Sequence, residues 1–140
     1  MDSKKIVRVG VIGCGMIAQI MHLPYLNELP EFELYSLCDI SHYVVEQLGK
    51  RYGLSTDRLY TDVDKMLSDP MLDAVIISTN EHYKPAIKAA KSGKHLLIEK
   101  PIAYTMKQAQ EIVQTAKNCK VVLMIGYMKR YDPGYIYALE

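Results

Sequence analysis

A glycine pattern near the start of the chain is the first sign of chemistry. Gly13, Gly15 and Ala18 are spaced as G-x-G-x-x-A, between a β-branched apolar run and a segment of helical period. In such a turn the first glycine permits a tight bend, the second lets a ligand approach the backbone, and the small third residue packs a helix closely on a strand. The unpaired N–H groups at the start of that helix, around Met16 and Ile17, attract phosphate oxygens. The pattern therefore predicts a site for the pyrophosphate of a dinucleotide.

A carboxylate follows this turn at the separation that a dinucleotide site requires. Asp39 comes directly after the next apolar run, and such acids lie about 20 residues beyond the glycines. A carboxylate at this position accepts hydrogen bonds from the ribose hydroxyls and repels a 2′-phosphate, and no arginine lies beside it. These residues favour NAD over NADP as the cofactor. The alternative is a structural turn followed by an aspartate that caps a helix.

Small polar residues follow the fourth apolar run. Ser78, Thr79 and Asn80 come directly after that run, and His82 lies two residues further on. Because ligands of open parallel sheets bind beyond the carboxyl ends of the strands, we expect these side chains to contact the ribose and nicotinamide. The alternative for His82 is a surface or helix-capping histidine.

The fifth apolar run ends in Glu99, Lys100 and Pro101. Pro101 disfavours helical backbone at Lys100 and so predicts an extended residue at the carboxyl edge of the sheet. From there a lysine can donate a hydrogen bond to a substrate oxygen or transfer a proton. The alternative for Lys100 is a salt-bridged lysine in a surface turn.

These residues need a scaffold of alternating strands and helices. We expect strands over residues 6–12, 32–38, 59–60, 74–78, 95–98 and 121–125, and helices over residues 16–29, 42–52, 62–68, 83–91 and 105–118. In the first helix Ile17, Ile20 and Met21 have the spacing of an inner face, and Leu26 is a further candidate for it. Continuous apolar strands separated by helices indicate the α/β class with a doubly wound parallel sheet. With the glycine motif, this predicts a six-stranded Rossmann fold of order 3-2-1-4-5-6.

Composition excludes several other classes of protein. The 140 residues are 49% hydrophobic and 24% charged, with a net charge of +1, which is ordinary globular composition and indicates no nucleic-acid or membrane partner. The three cysteines lack C-x-x-C spacing and predict reduced thiols in a cytoplasmic protein without a metal site. Cys14 is interpreted as a small packing residue. Four tyrosines near the end suit helix packing or a domain interface better than a ligand-stacking platform.

Taken together, the motifs resemble the N-terminal domain of the glucose-fructose oxidoreductase / inositol dehydrogenase family, also called the Gfo/Idh/MocA family. The likeness is carried by residues 9–18, 73–82, 93–103 and 126–133. It is most specific in the block Gly-Lys-His-Leu-Leu-Ile-Glu-Lys-Pro at residues 93–101. One departure is Thr79, where family members often carry proline.

The resemblance implies roles for individual residues. Lys100 matches the lysine of the family that contacts substrate and assists catalysis. Glu99 and Pro101 match residues that shape the nicotinamide pocket. Arg130 matches a position near the cofactor, and His82 matches the histidine of the loop after the fourth strand.

The resemblance also implies a second α/β domain that supplies substrate contacts, a catalytic histidine and a dimer interface. We therefore expect residues 1–126 to form the dinucleotide-binding domain and residues 127–140 to begin the connection to a missing substrate domain. The full protein would be an NAD(P)-dependent, homo-oligomeric oxidoreductase that moves hydride to or from a CH–OH group of a sugar, polyol or related substrate. This fragment would be inactive alone. One alternative is a non-catalytic NAD(H) sensor. The other is a methyl transferase, and the Glu-Lys-Pro block argues against this second alternative.

Overall fold

The sheet of this computed structural model has the predicted strands in the predicted order. The structure describes residues 6–138, so residues 1–5 and 139–140 of the two expected domain ranges lie outside it. Its strands are β1 (Val7–Ile12), β2 (Phe32–Cys38), β3 (Leu59–Tyr60), β4 (Ala74–Ile77), β5 (His95–Ile98) and β6 (Leu123–Ile125). They form one sheet of order β3-β2-β1-β4-β5-β6, and every neighbouring pair is parallel. This confirms the doubly wound α/β fold and the order 3-2-1-4-5-6.

The helices begin where the capping residues indicate. They are α1 (Leu23–Glu28), α2 (His42–Tyr52), α3 (Val63–Leu67), α4 (Tyr83–Lys91), α5 (Met106–Asn118) and α6 (Pro133–Tyr137). A π-helical segment (Ala18–His22) precedes α1, and 3₁₀ helices cover Thr56–Arg58 and Met128–Tyr131. The side chains of Ser41, Asp62 and Thr105 accept hydrogen bonds from N–H groups in the first turns of α2, α3 and α5, which stabilises those helix starts. Within residues 6–138, no helix is both long and apolar enough to cross a membrane.

The two faces of the sheet pack separate layers of helices. On the first face, Leu23 of α1 and Val45 of α2 pack in one core with Val11 of β1. On the second face, Ile112 of α5 and alanines of α4 pack in another core with Ile77 of β4. Both faces of the central strands are therefore buried, as parallel sheets require.

The inner face predicted for the first helix is correct at Leu26, which is buried, and wrong at the other three positions. Ile17, Ile20 and Met21 are 40%, 57% and 38% exposed, whereas Ala18 and Leu23 are buried. Ala18 begins a π-helical segment in which the Leu23 N–H donates to the Ala18 carbonyl five residues earlier, and Leu23 takes the buried position. This wider turn contains one more residue than an α-helical turn, so the residues that follow it rotate relative to the sheet. A pattern count at period 3.6 cannot detect the extra residue.

The strand order places a switch point between β1 and β4. These strands are neighbours in space, but the chain reaches β2 and β3 between them. The connections therefore leave in opposite directions, and the loops after β1 and β4 diverge at the carboxyl edge of the sheet. Open α/β sheets bind their ligands in this crevice.

Candidate functional site

The turn after β1 depends on a glycine at its first position. Gly13 has φ +87°, a conformation that L side chains rarely adopt, and a Cβ there would lie 2.7 Å from the backbone nitrogen of Thr79. The Ser78 hydroxyl donates a 2.6 Å hydrogen bond to the Gly13 carbonyl. The loops after β1 and β4 are thus joined directly at the switch point.

Asp39 is held at this turn by backbone donors. One carboxylate oxygen accepts the Cys14 N–H at 2.8 Å and the other accepts the Ser41 N–H at 2.9 Å. Ser41, and not Asp39, caps α2, so the helix-capping alternative for Asp39 is wrong. Each carboxylate oxygen can accept a second hydrogen bond, which leaves Asp39 able to bind ribose hydroxyls.

The thiols beside this carboxylate are neutral. The pKa values of Cys14 and Cys38 rise to about 12, mainly because the thiols are buried and secondly because of the negative charge of Asp39. A protonated, buried thiol is a poor nucleophile. This agrees with the interpretation of Cys14 as a packing residue.

The first cavity lies between the glycine turn and the carboxyl end of β2. It has a volume of about 370 Å³, and its lining includes Gly13, Gly15 and Asp39 together with Ile40 and Thr61. A Cβ on Gly15 would meet no atom within 4 Å and its φ is not positive, so neither packing nor backbone conformation requires a glycine there. The close approach of a pyrophosphate would supply that requirement. A dinucleotide therefore fits this turn.

A second cavity adjoins the first across the loop after β4. It measures about 510 Å³ and shares the loop residues Ser78, Thr79 and Asn80 with the first cavity. Its lining also includes Ile17, Met21, His22, His82, Glu99, Lys100, Pro101, Tyr104, Tyr127, Met128 and Tyr131. Ile17 and Met21, two of the residues misassigned to the helix core, thus line a cavity at the sheet edge.

Glu99 lines the second cavity and contacts two other residues there. One carboxylate oxygen lies 2.8 Å from Nε2 of His22, and the other accepts the Lys100 N–H at 3.2 Å. A Cβ on Gly126 would come within 3.3 Å of both oxygens, so the missing side chain at Gly126 makes room for the carboxylate.

His82 is not a surface residue, and although it occupies the N-cap position of α4, its side chain does not cap that helix. It is 7% exposed, and its side chain makes no capping hydrogen bond at the start of α4. Its Nδ1 lies 2.7 Å from the Pro101 carbonyl. Because a carbonyl only accepts, Nδ1 carries the proton. His82 therefore ties the loop after β4 to the turn after β5.

Lys100 stands at the open edge of the second cavity. It is exposed, and its peptide bond to Pro101 is cis. Within residues 6–138 no carboxylate lies within 4.0 Å of its ammonium group, so the salt-bridged alternative has no partner there. Lys100 and Arg130 line one further cavity of about 330 Å³, which brings both cations to the same side of the site.

Among the residues of the second cavity that the sequence analysis did not predict, two make hydrogen bonds to other parts of the site. The Tyr104 hydroxyl donates to the Asn80 carbonyl, and His22 contacts Glu99. A polar residue inside an apolar helical pattern is the only signal for His22, and nothing in the pattern identifies its partner. Tyr127 and Tyr131, interpreted as packing or interface residues, also line this cavity.

A protein-family model identifies the family to which this chain is related. The Gfo/Idh/MocA model, an oxidoreductase family with an NAD-binding Rossmann fold, matches residues 7–127. The chain belongs to this family. The match contains the glycine turn, the loop after β4 and the Glu-Lys-Pro block, and it confirms the resemblance seen in the motifs.

Several known oxidoreductases match nearly all of this chain. An inositol 2-dehydrogenase/D-chiro-inositol 3-dehydrogenase from Lacticaseibacillus casei is 34% identical over 92% of this chain and 38% of its own length. A 3-ketoreductase structure from Actinomadura kijaniata, in complex with NADP and TDP-benzene, has 26% identity and a TM-score of 0.88, and the match covers 96% of this chain and 41% of that one. The scyllo-inositol dehydrogenase of Lactobacillus casei, solved with NAD(H) and scyllo-inositol, shares the fold at 24% identity and a TM-score of 0.88, with 96% and 40% coverage. This chain therefore spans about two fifths of the length of these relatives.

Proposed function

We propose that this chain binds NAD and forms the cofactor-binding part of a dehydrogenase that acts on a CH–OH group of a sugar, polyol or related substrate. The observation that carries the proposal is the pair of adjoining cavities at the switch point. The first has the glycine turn and a carboxylate for the pyrophosphate and ribose. The second has the Glu-Lys-Pro turn for the nicotinamide end.

The preference for NAD rests on Asp39. Its carboxylate is fixed at the first cavity by the N–H groups of Cys14 and Ser41, so it cannot easily turn away from a 2′-phosphate. Repulsion between the two anions disfavours NADP. Since solved relatives include both NADP and NAD(H) complexes, the preference is a property of this chain's own residues.

Lys100 is the proposed catalytic residue. When bound, the nicotinamide supplies or accepts the hydride. The exposed ammonium of Lys100 donates a hydrogen bond to the substrate oxygen and holds or moves the proton at that oxygen. Arg130, on the same side of the site, adds a second positive charge close to the cofactor.

We further propose that the substrate contacts lie outside this chain. Residues 1–126 form the cofactor domain and residues 127–140 start the connection to a substrate domain. The exposed apolar side chains of Tyr135, Ile136 and Tyr137 support this, because such residues commonly mark an interface. On this proposal the chain binds cofactor but has no dehydrogenase activity alone, and the full protein is a cytoplasmic homo-oligomer.

A titration of the chain with NAD and NADP tests the proposal. We expect Asp39→Ala to weaken NAD binding about tenfold through lost charge-assisted hydrogen bonds and to shift the NAD-to-NADP affinity ratio toward NADP. The exposed Asp57 provides the matched control, and Asp57→Ala should leave both affinities unchanged. Isothermal titration calorimetry measures all of them. An unchanged ratio in Asp39→Ala, or no binding of NAD at millimolar concentration by the folded chain, would refute the proposal.

A further inference from the structure

His22 reaches the second cavity because of the π-helical segment. In a regular α-helix the residue four positions after Ala18 lies on the same face and would point into the core. The π-helical hydrogen bond joins Ala18 to Leu23 instead, and Leu23 takes the buried position. His22 is therefore directed away from the core, and it lines the second cavity.

His22 and Glu99 form a pair that links the first helix to the turn after β5. Their side chains are 14% and 18% exposed, and Nε2 lies 2.8 Å from the carboxylate. The residues are 77 positions apart in the chain. Glu99 is the one carboxylate among the described residues that line this cavity, and a partly desolvated carboxylate needs hydrogen-bond donors.

The second oxygen of Glu99 acts on the Lys100 backbone. It accepts the Lys100 N–H at 3.2 Å, so the carboxylate bridges the imidazole and the turn that carries the lysine. Gly126 leaves room for this arrangement, since a side chain there would approach both oxygens. The position of the Lys100 turn thus depends on where the carboxylate is held.

We propose that His22 is a positioning residue that fixes the Glu99 carboxylate and, through it, the Lys100 turn at the nicotinamide end of the site. This inference rests on the proposed binding of a nicotinamide dinucleotide. Its consequence is specific, because His22 should matter for ligands that carry the nicotinamide and not for ligands that occupy the first cavity alone.

Paired titrations with NADH and ADP-ribose test the inference in the full 140-residue chain. In His22→Leu the carboxylate loses a charge-assisted hydrogen bond, and we expect NADH to bind about tenfold more weakly. ADP-ribose, which lacks the nicotinamide, should keep its affinity to within about twofold. His22→Gln restores an N–H donor and should recover most of the NADH affinity. The exposed His42 provides the matched control, and His42→Gln should change neither affinity.

A double-variant cycle tests the pair itself and does not depend on the stability of His22→Leu alone. Glu99→Ala should weaken NADH binding to a similar degree, and adding His22→Leu to it should cause little further loss. Additive losses would overturn the inference, as would unchanged NADH affinity in His22→Leu or equal losses for NADH and ADP-ribose. If the wild-type chain binds ADP-ribose but not NADH, the inference fails with the nicotinamide part of the proposed function. If the wild-type chain binds both NADH and ADP-ribose but the His22 and Glu99 variants do not show the expected losses, the proposed function stands. In that case the proposed role of His22 is wrong.

Discussion

The two cavities of the site are built in different ways. The first is shaped by backbone: a glycine turn, a carboxylate held by two N–H groups, and a hydroxyl that joins the loops after β1 and β4. The second is shaped by side-chain contacts between distant segments, such as His22 with Glu99 and His82 with Pro101. Substitution at Gly13 in the first cavity should therefore act through backbone geometry, and substitutions in the second cavity through lost pairs.

The largest effect should come from Gly13→Ala. The added methyl group meets the Thr79 backbone nitrogen at 2.7 Å in a conformation with φ +87°, so both strain and a clash oppose it. We expect a loss of about 3 kcal/mol in the free energy of unfolding, measured by urea denaturation. Gly53 is the matched control, because it has φ +70° but no neighbour within 4 Å. Gly53→Ala should cost only about 1 kcal/mol, and equal losses would contradict the close approach of the two loops.

His82→Leu should have an intermediate effect on stability. It removes the donor that the Pro101 carbonyl accepts at 2.7 Å, and we expect the free energy of unfolding to fall by about 1–2 kcal/mol. The exposed His42 is again the control, and His42→Leu should cost less than about 0.5 kcal/mol. Thermal unfolding followed by circular dichroism separates the two variants. No difference between them would mean that the contact with Pro101 contributes nothing to the second cavity.

Gly15→Ala should leave stability unchanged and act on binding alone. Its methyl group meets no protein atom within 4 Å, so the free energy of unfolding should stay within about 0.5 kcal/mol of wild type. A bound pyrophosphate would meet that methyl group, and we expect NAD affinity to fall about tenfold. Calorimetric titration beside urea denaturation checks both parts. Unchanged NAD affinity would contradict the explanation that Gly15 allows the close approach of a pyrophosphate.

The sequence could predict features that depend on local patterns, but not contacts between distant segments. The strand order and Asp39 were predictable, because continuous apolar runs and a fixed separation from Gly15 are local patterns. The contacts of His22 and His82 were not, because they join segments that no periodicity relates. The π-helical segment was missed because Ile17, Ile20 and Met21 fit a regular helical face equally well. Sequence therefore predicted residues that line both cavities, but not the side-chain contacts that build the second.

The central claim is that one dinucleotide occupies both cavities of this chain. Amide chemical shifts of the ¹⁵N-labelled chain, followed by NMR during a titration with NAD, test it most directly. We expect saturable shifts both at Gly13 and Gly15 in the first cavity and at Lys100 and Gly126 in the second. ADP-ribose should reproduce only the first set. Shifts confined to the first cavity with NAD, or no shifts at millimolar NAD, would contradict the account.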